Sequence, residues 1–178
     1  MPVFLDLEAS SLASGSYPIE VAWGQTPETI ESYLISPEYI SSWTDWSPVS
    51  ERLHGIPRTQ LLDQGKPPSW VAKRMNDALG DQTVYSDNPD YDRHWLDELF
   101  KKAKIGPIRF SICGAHELLI ETLKSYFPHA ADISLPLQSL KHHTRLQMPQ
   151  RHRTDHDVAY LCRLFELATT PNNHLFAN

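Results

Sequence analysis

Val3, Phe4 and Leu5 run directly into Asp6, Leu7 and Glu8, an apolar stretch whose second half alternates with acids. That two-residue period predicts a first β-strand beginning almost at the first residue. Ser14, Gly15, Ser16 and Pro18 then mark a turn, each a residue type that favours tight chain reversal. Beyond it Ile19, Val21 and Trp23 alternate with Glu20 and Ala22 in a second strand, and Ile30 to Ile35 forms a third before Pro37. Strands joined by short turns predict an antiparallel meander.

The period then lengthens. Leu61 and Leu62, followed by Val71, Met75 and Leu79, fall at helical intervals interrupted by Gly65 to Pro68. Gln82 to Tyr85 is expected to be a fourth strand. Asp92 to Lys102 carries Trp95, Leu96, Leu99 and Phe100 along one side of an amphipathic helix. Ile108 to Cys113 reads as a fifth strand, Glu117 to Tyr126 as a helix, and Lys141 to Arg153 as a basic loop. Asp155 to Leu167 closes the series as a last helix, with Thr154 and Asp157 spaced like a capping box. Three strands followed by alternating helices and strands predict an α/β fold, a mixed sheet with helices packed on it. With no repeat or low-complexity tract, residues 1–178 are expected to form one domain.

Composition narrows the function classes. Hydrophobic residues make up 40% of the 178 and charged residues 21%, the balance of an ordinary globular protein. No apolar run approaches the roughly 20 residues that span a bilayer. The start, MPVFLDLEAS, lacks the basic opening of a signal peptide. Cys113 and Cys162 are too few for a disulfide scaffold or a zinc site, so a reducing, cytoplasmic location is expected. The formal net charge of −6 argues against coating nucleic acid through bulk electrostatics. It leaves room for an enzyme that grips one chain end through bound cations, which invert the local sign of an acidic pocket.

Three clusters carry candidate chemistry. Asp6 and Glu8 lie two residues apart on one strand, so both carboxylates share a face with Phe4, while Leu5 and Leu7 point the other way. Side-by-side carboxylates repel unless protonated, solvated or bound to a cation, and hard divalent ions favour such oxygen ligands. The second cluster, YSDNPDYDRHWLDELF, places Asp87, Asp90 and Asp92 where a strand gives way to a helix. For any one of them taken alone, helix capping is the better explanation. The third, QRHRTDHDVAYLCRLFE, puts His152 just before a helix and Asp157 in its first turn. An imidazole there can take a proton from water near neutral pH.

The order and type of these clusters resemble the DEDDh exonucleases, the family of polymerase proofreading subunits, oligoribonuclease and ribonuclease T. FLDLEASSL looks like their first motif, and NPDYD is similar to the second through Asn88 and Asp92. HRTDHD is similar to the third through His152 and Asp157, and LHGIP, Leu53 to Pro57, resembles a segment between the first two. Family spacing selects Asp92 over Asp90 and His152 over His156. Asp87 stands where relatives often have His, and Tyr91 where Phe is usual.

The resemblance implies an RNase H-like domain with a five-stranded sheet, three antiparallel strands first and then two parallel. It implies a 3′–5′ exonuclease releasing nucleoside 5′-monophosphates, with Asp6, Glu8, Asp92, His152 and Asp157 as the catalytic set. Asp6, Glu8, Asp92 and Asp157 would hold two divalent cations, Mg²⁺ or Mn²⁺, and His152 would act as general base. Ser11, Leu12, Asn88 and His54 are expected to touch substrate, although Leu12 could equally be core. Trp43 and Trp46 could stack bases or simply pack. The expected partners are 3′ ends of single-stranded DNA or RNA, with a slight lean to DNA; a homodimer is left open. A non-catalytic relative and a nucleotide phosphatase are the rival readings.

Overall fold

The computed structural model describes residues 1–126 and 132–170. Residues 127–131 and 171–178 of the expected 1–178 domain lie outside the described residues. The strands are β1 (Val3–Ala9), β2 (Pro18–Gly24), β3 (Glu31–Leu34), β4 (Thr83–Ser86) and β5 (Ser111–Gly114). The helices are α1 (Pro48–His54), α2 (Arg58–Gln64), α3 (Pro68–Leu79), α4 (Pro89–Ala103), α5 (Ala115–Tyr126), α6 (Ser134–Gln147) and α7 (Thr154–Ala168). One 5-stranded sheet runs in the order β3-β2-β1-β4-β5. β1 pairs antiparallel with β2, and β2 with β3. β4 joins β1 in parallel, and β5 joins β4 in parallel. The expected mixed sheet, meander first and parallel strands after, is the one the chain forms.

Alternation along β1 assigns its side chains to two cores. Leu5 and Leu7 pack with Ile19, Val21 and Trp23 against Met75 and Leu79 of α3 and Leu96 and Leu99 of α4. Phe4 faces the opposite side, where Leu119 of α5, Leu137 and Leu140 of α6, and Val158 and Leu161 of α7 close over it. Each large apolar side chain buried this way contributes about 1.5–3 kcal/mol. β1 is therefore central and covered on both faces. Asp6 and Glu8 share the Phe4 face, so they lie beneath helices rather than on an exposed edge.

Three local expectations differ from the fold. Helix α1 lies outside the expected elements; Ser47 caps it by accepting the Ser50 N–H at 3.3 Å, and Gly55 ends it at φ +69°. Val49 and Leu53, both exposed, are its only apolar positions besides Pro48, and a single four-residue interval is too short a signal to read. The expected loop from Lys141 to Arg153 is helical as far as Gln147, as part of α6. Leu137, Leu140 and Thr144 are its buried positions, a stripe diluted by basic residues between them. The capping box at Thr154 does not form: Arg153 is the N-cap of α7, with no side-chain cap bond. Glu20 Oε2 accepts the Thr154 N–H at 3.1 Å instead, a cap supplied by a neighbouring strand. Among the described residues no helix is long and apolar enough to cross a membrane.

Candidate active site

Because β1 and β4 are parallel, their carboxyl ends meet at one edge of the sheet, where α/β folds commonly build sites. α4 starts there with Asn88 as N-cap and Pro89 in the first turn, a proline position that forfeits no helical hydrogen bond. The first turn of α4 aims Asp92 back at β1, and the first turn of α7 delivers Asp157 from above. Asp6, Glu8, Asp87, Asn88, Asp92, His152 and Asp157 thus line one cavity of about 290 Å³, together with Leu12 and Arg145. Within it, one ligand atom each from Glu8, His152 and Asp157 lie within 4.8 Å of one another.

Burial sets the electrostatics. Burial, together with the charges of Asp157 and of Glu20, the latter directly opposite on β2, pushes the Glu8 carboxyl up to about 8. Asp6 is held well above the usual carboxylate range by burial first, then by the charges of Asp92, Glu8 and Asp157. Burial lifts Asp92 to about 7, against the opposing hydrogen bond from Ser86. Asp157 is also raised by burial, although Arg145 draws it down. Four carboxyls that all resist ionisation, through burial and, for Asp6 and Glu8, through the others' charges, call for protons or cations to neutralise them. The Asp157 Oδ1 atom is moreover buried without a hydrogen-bond partner. An oxygen-dominated set of carboxylates beside one imidazole suits Mg²⁺ or Mn²⁺, so these residues fit divalent metal.

Neighbouring residues hold the set in place. Ser86, the last residue of β4, donates its hydroxyl to Asp92 Oδ2, and its Oγ accepts the Asn88 N–H at 3.0 Å. Arg153 donates to Glu20 at 2.5 Å through Nη2 and at 3.1 Å through Nε. His152, just before it, sits at φ +49°, a left-handed backbone costing a non-glycine residue on the order of 1 kcal/mol. The Gln150 amide nitrogen lies 3.4 Å from His152 Nδ1.

Not every expected residue reaches the cavity. Leu12 and Asn88 line it. Leu12 is 71% exposed, which excludes the core reading. Ser11 instead donates to Asp45 Oδ2 at 2.6 Å. His54 is buried, its Nδ1 accepting the Ile56 N–H at 3.1 Å while Nε2 has no hydrogen-bond partner. Trp43 stacks on Tyr17 with ring centroids 5.0 Å apart and is buried, so it packs rather than waits for a base. Trp46 donates its Nε1–H to Glu51 at 2.6 Å. Of the two ambiguous positions, Asp90 is exposed and outside the cavity. His156 turns away, its Nε2 donating to the Pro149 carbonyl at 2.7 Å. Sequence reasoning missed Ser86 and Glu20, whose polar side chains at strand positions looked like ordinary alternation.

The fold is RNase H-like, with an acid cluster at the carboxyl ends of its central strands. It is similar to E. coli exonuclease I: the zinc-bound complex with single-stranded DNA aligns at a TM-score of 0.64 and 16% identity, covering 98% of this chain and 41% of that one. The complex with a dA16 oligonucleotide aligns at 0.67 and 17%, covering 99% and 42%. A product-bound form aligns at 0.61 and 16%, covering 98% and 44%. The chain therefore spans less than half the length of these proteins. No protein-family model matches the sequence, and no curated protein sequence matches it significantly.

Proposed function

We propose that this chain is a divalent-metal-dependent 3′–5′ exonuclease acting on single-stranded nucleic acid, with a preference for DNA. The observation that carries the proposal is the convergence of Asp6, Glu8, Asp92, His152 and Asp157 on one cavity, on the fold of exonuclease I. Structures of that enzyme hold single-stranded DNA and oligonucleotides such as dA16, which favours DNA over the RNA alternative.

Asp6, Glu8, Asp92 and Asp157 would hold two divalent cations, which supply charge neutralisation for the attacking and leaving oxygens of phosphodiester hydrolysis. His152 takes the proton of the attacking water, a role open to an imidazole beside two carboxylates. Its short approach between α6 and α7 lets the ring close over the phosphate. Asn88, at the N-cap of α4, offers a side-chain amide to the terminal nucleotide. Leu12, exposed at the cavity rim, presents an apolar wedge to its base. The phosphodiester is cleaved to release a nucleoside 5′-monophosphate.

The test uses 5′-labelled single-stranded DNA and RNA of equal sequence, incubated with Mn²⁺ or Mg²⁺. A ladder shortening from the 3′ end, faster for DNA and absent with Asp6→Ala, is expected. Intact oligonucleotides in the presence of metal would refute the proposal, and faster loss of RNA would reverse the substrate preference.

A further inference from the structure

Arg145 stands apart from the arginines that grip partly buried carboxylates; Arg109 and Asp81 are also 3.6 Å apart, but both are exposed. Arg74 grips Glu31 at 2.6 and 2.8 Å, and Arg153 grips Glu20 at 2.5 Å; both are close, charge-assisted contacts. Arg145 Nη1 lies 3.6 Å from Asp157 Oδ1, too long for a hydrogen bond. Both atoms are buried, and neither has a hydrogen-bond partner. A guanidinium in that condition forgoes a strong interaction on burial unless something else reaches it. Two orphaned atoms of opposite character face each other across the cavity wall, one ready for a cation and one for an anion.

The guanidinium is nonetheless fixed in place. Its centre lies 3.5 Å from the ring centroid of Tyr160 on α7, a stacking contact that holds the planar fork in one plane. Its backbone is one residue past Thr144, which is fully buried and bonds back to the Leu140 carbonyl at 2.8 Å. Arg145 lines the same cavity as Asp6, Glu8 and Asp157. Among the described residues it is the only Lys or Arg lining that cavity, and so the one permanent cation they place there.

We propose that Arg145 is a further substrate-binding residue, donating from Nη1 to a non-bridging oxygen of the scissile phosphodiester. The proposal rests on the exonuclease reading above and adds to it a protein-borne positive charge beside the metal ligands. A phosphate oxygen at this position satisfies the orphaned donor, while a cation satisfies Asp157. Lysine cannot replace the arginine fully, because an ammonium neither lies flat on Tyr160 nor presents a fixed fork.

The test compares binding of two 5′-fluorescein oligonucleotides by anisotropy, one natural and one with a neutral methylphosphonate in its 3′-terminal linkage. Proteins carrying His152→Ala, which slows consumption of the probe, are used with Mn²⁺, with and without Arg145→Ala or Arg145→Lys. Loss of Arg145 is expected to raise the Kd of the natural oligonucleotide on the order of 10- to 100-fold, with Lys recovering part of it. The methylphosphonate oligonucleotide should change by no more than about threefold. Mn²⁺ affinity, measured by calorimetry, should be kept or increased. Equal weakening of both oligonucleotides, no weakening of either, or a loss of Mn²⁺ affinity large enough to explain the effect would overturn the assignment.

Wild-type protein in the cleavage assay keeps the two proposals apart. Binding that depends on Arg145 without degradation removes the exonuclease reading and retains the phosphate contact. Degradation without that dependence does the reverse.

Discussion

Glu20 Oε1 receives Arg153 Nη2 at 2.5 Å across 133 residues of sequence, joining β2 to the residue that follows His152. The other Glu20 oxygen accepts the Thr154 N–H at 3.1 Å, so one buried carboxylate both pairs a cation and caps α7. Glu20 is 1% exposed and stands opposite Glu8 in the sheet. The start of α7, and with it the departure point of His152, is therefore set by the strand that flanks the metal-ligand strand.

Removing this carboxylate should loosen both fold and site. Glu20→Ala is expected to cost about 3 kcal/mol, the scale for breaking a buried pair. In a chain of this length that lowers Tm by on the order of 10 °C. Glu20→Gln, which still accepts the Thr154 N–H, should keep more of the stability and lose turnover more than substrate affinity. Thermal melts and steady-state kinetics on an oligonucleotide check this; an unchanged Tm for Glu20→Ala would contradict it.

Metal-free protein should become less stable as pH rises. Glu8 holds its proton up to about 8 in the fold against 4.5 as an unperturbed carboxyl, and Asp92 to about 7 against 3.8. Between these limits the fold retains protons that the unfolded chain has released, so stability falls with increasing pH. It is highest below the unfolded values and is lost as pH passes through the folded ones. Tm in EDTA is expected to drop between about pH 5 and 8, and Mg²⁺ at the upper end should restore it. A Glu8→Gln protein should show a shallower slope in the same melts.

Asp6→Asn should separate stability from activity. Asp6 is held above the normal carboxylate range by burial and by its acidic neighbours, so removing its charge relieves the metal-free cluster. Expected outcomes are a higher Tm in EDTA at alkaline pH, loss of the stabilisation by Mg²⁺, and no detectable cleavage. A variant that still gains stability from Mg²⁺ would show that Asp6 is not a ligand.

His152→Ala should behave differently from the metal-ligand variants. Loss of a general base typically costs about 10²–10⁴-fold in rate. Metal-induced stabilisation should survive largely intact because the four carboxylates remain. Measuring kcat alongside the Mg²⁺-dependent Tm distinguishes the two classes; full activity in His152→Ala would remove it from the proposed mechanism.

Leu12→Ala should raise KM without destabilising the protein. The side chain is 71% exposed at the rim of the cavity, and surface changes of this kind usually stay within about 0.5 kcal/mol. If the side chain packs on a terminal base, its truncation forfeits about 1–2 kcal/mol of apolar burial, roughly a tenfold rise in KM. Equal KM values for Leu12→Ala and wild type would place the base elsewhere.

The alternating run from Val3 to Glu8 determined a buried strand with two acids on one face, because side-chain direction in a strand depends only on parity. The helix expected over Asp155 to Leu167 likewise put Asp157 in the first turn of α7. Local periodicity carried that information, and the mixed sheet followed from the order of the elements. Tertiary structure alone decided that Glu20 caps α7, that Ser86 holds Asp92, and that Ser11 and His54 turn from the cavity. It also decided that Arg145 is helical, stacked on Tyr160 and aimed at the acids. Those assignments depend on partners up to 134 positions away and on which polar groups burial leaves unpaired, quantities that no local pattern contains.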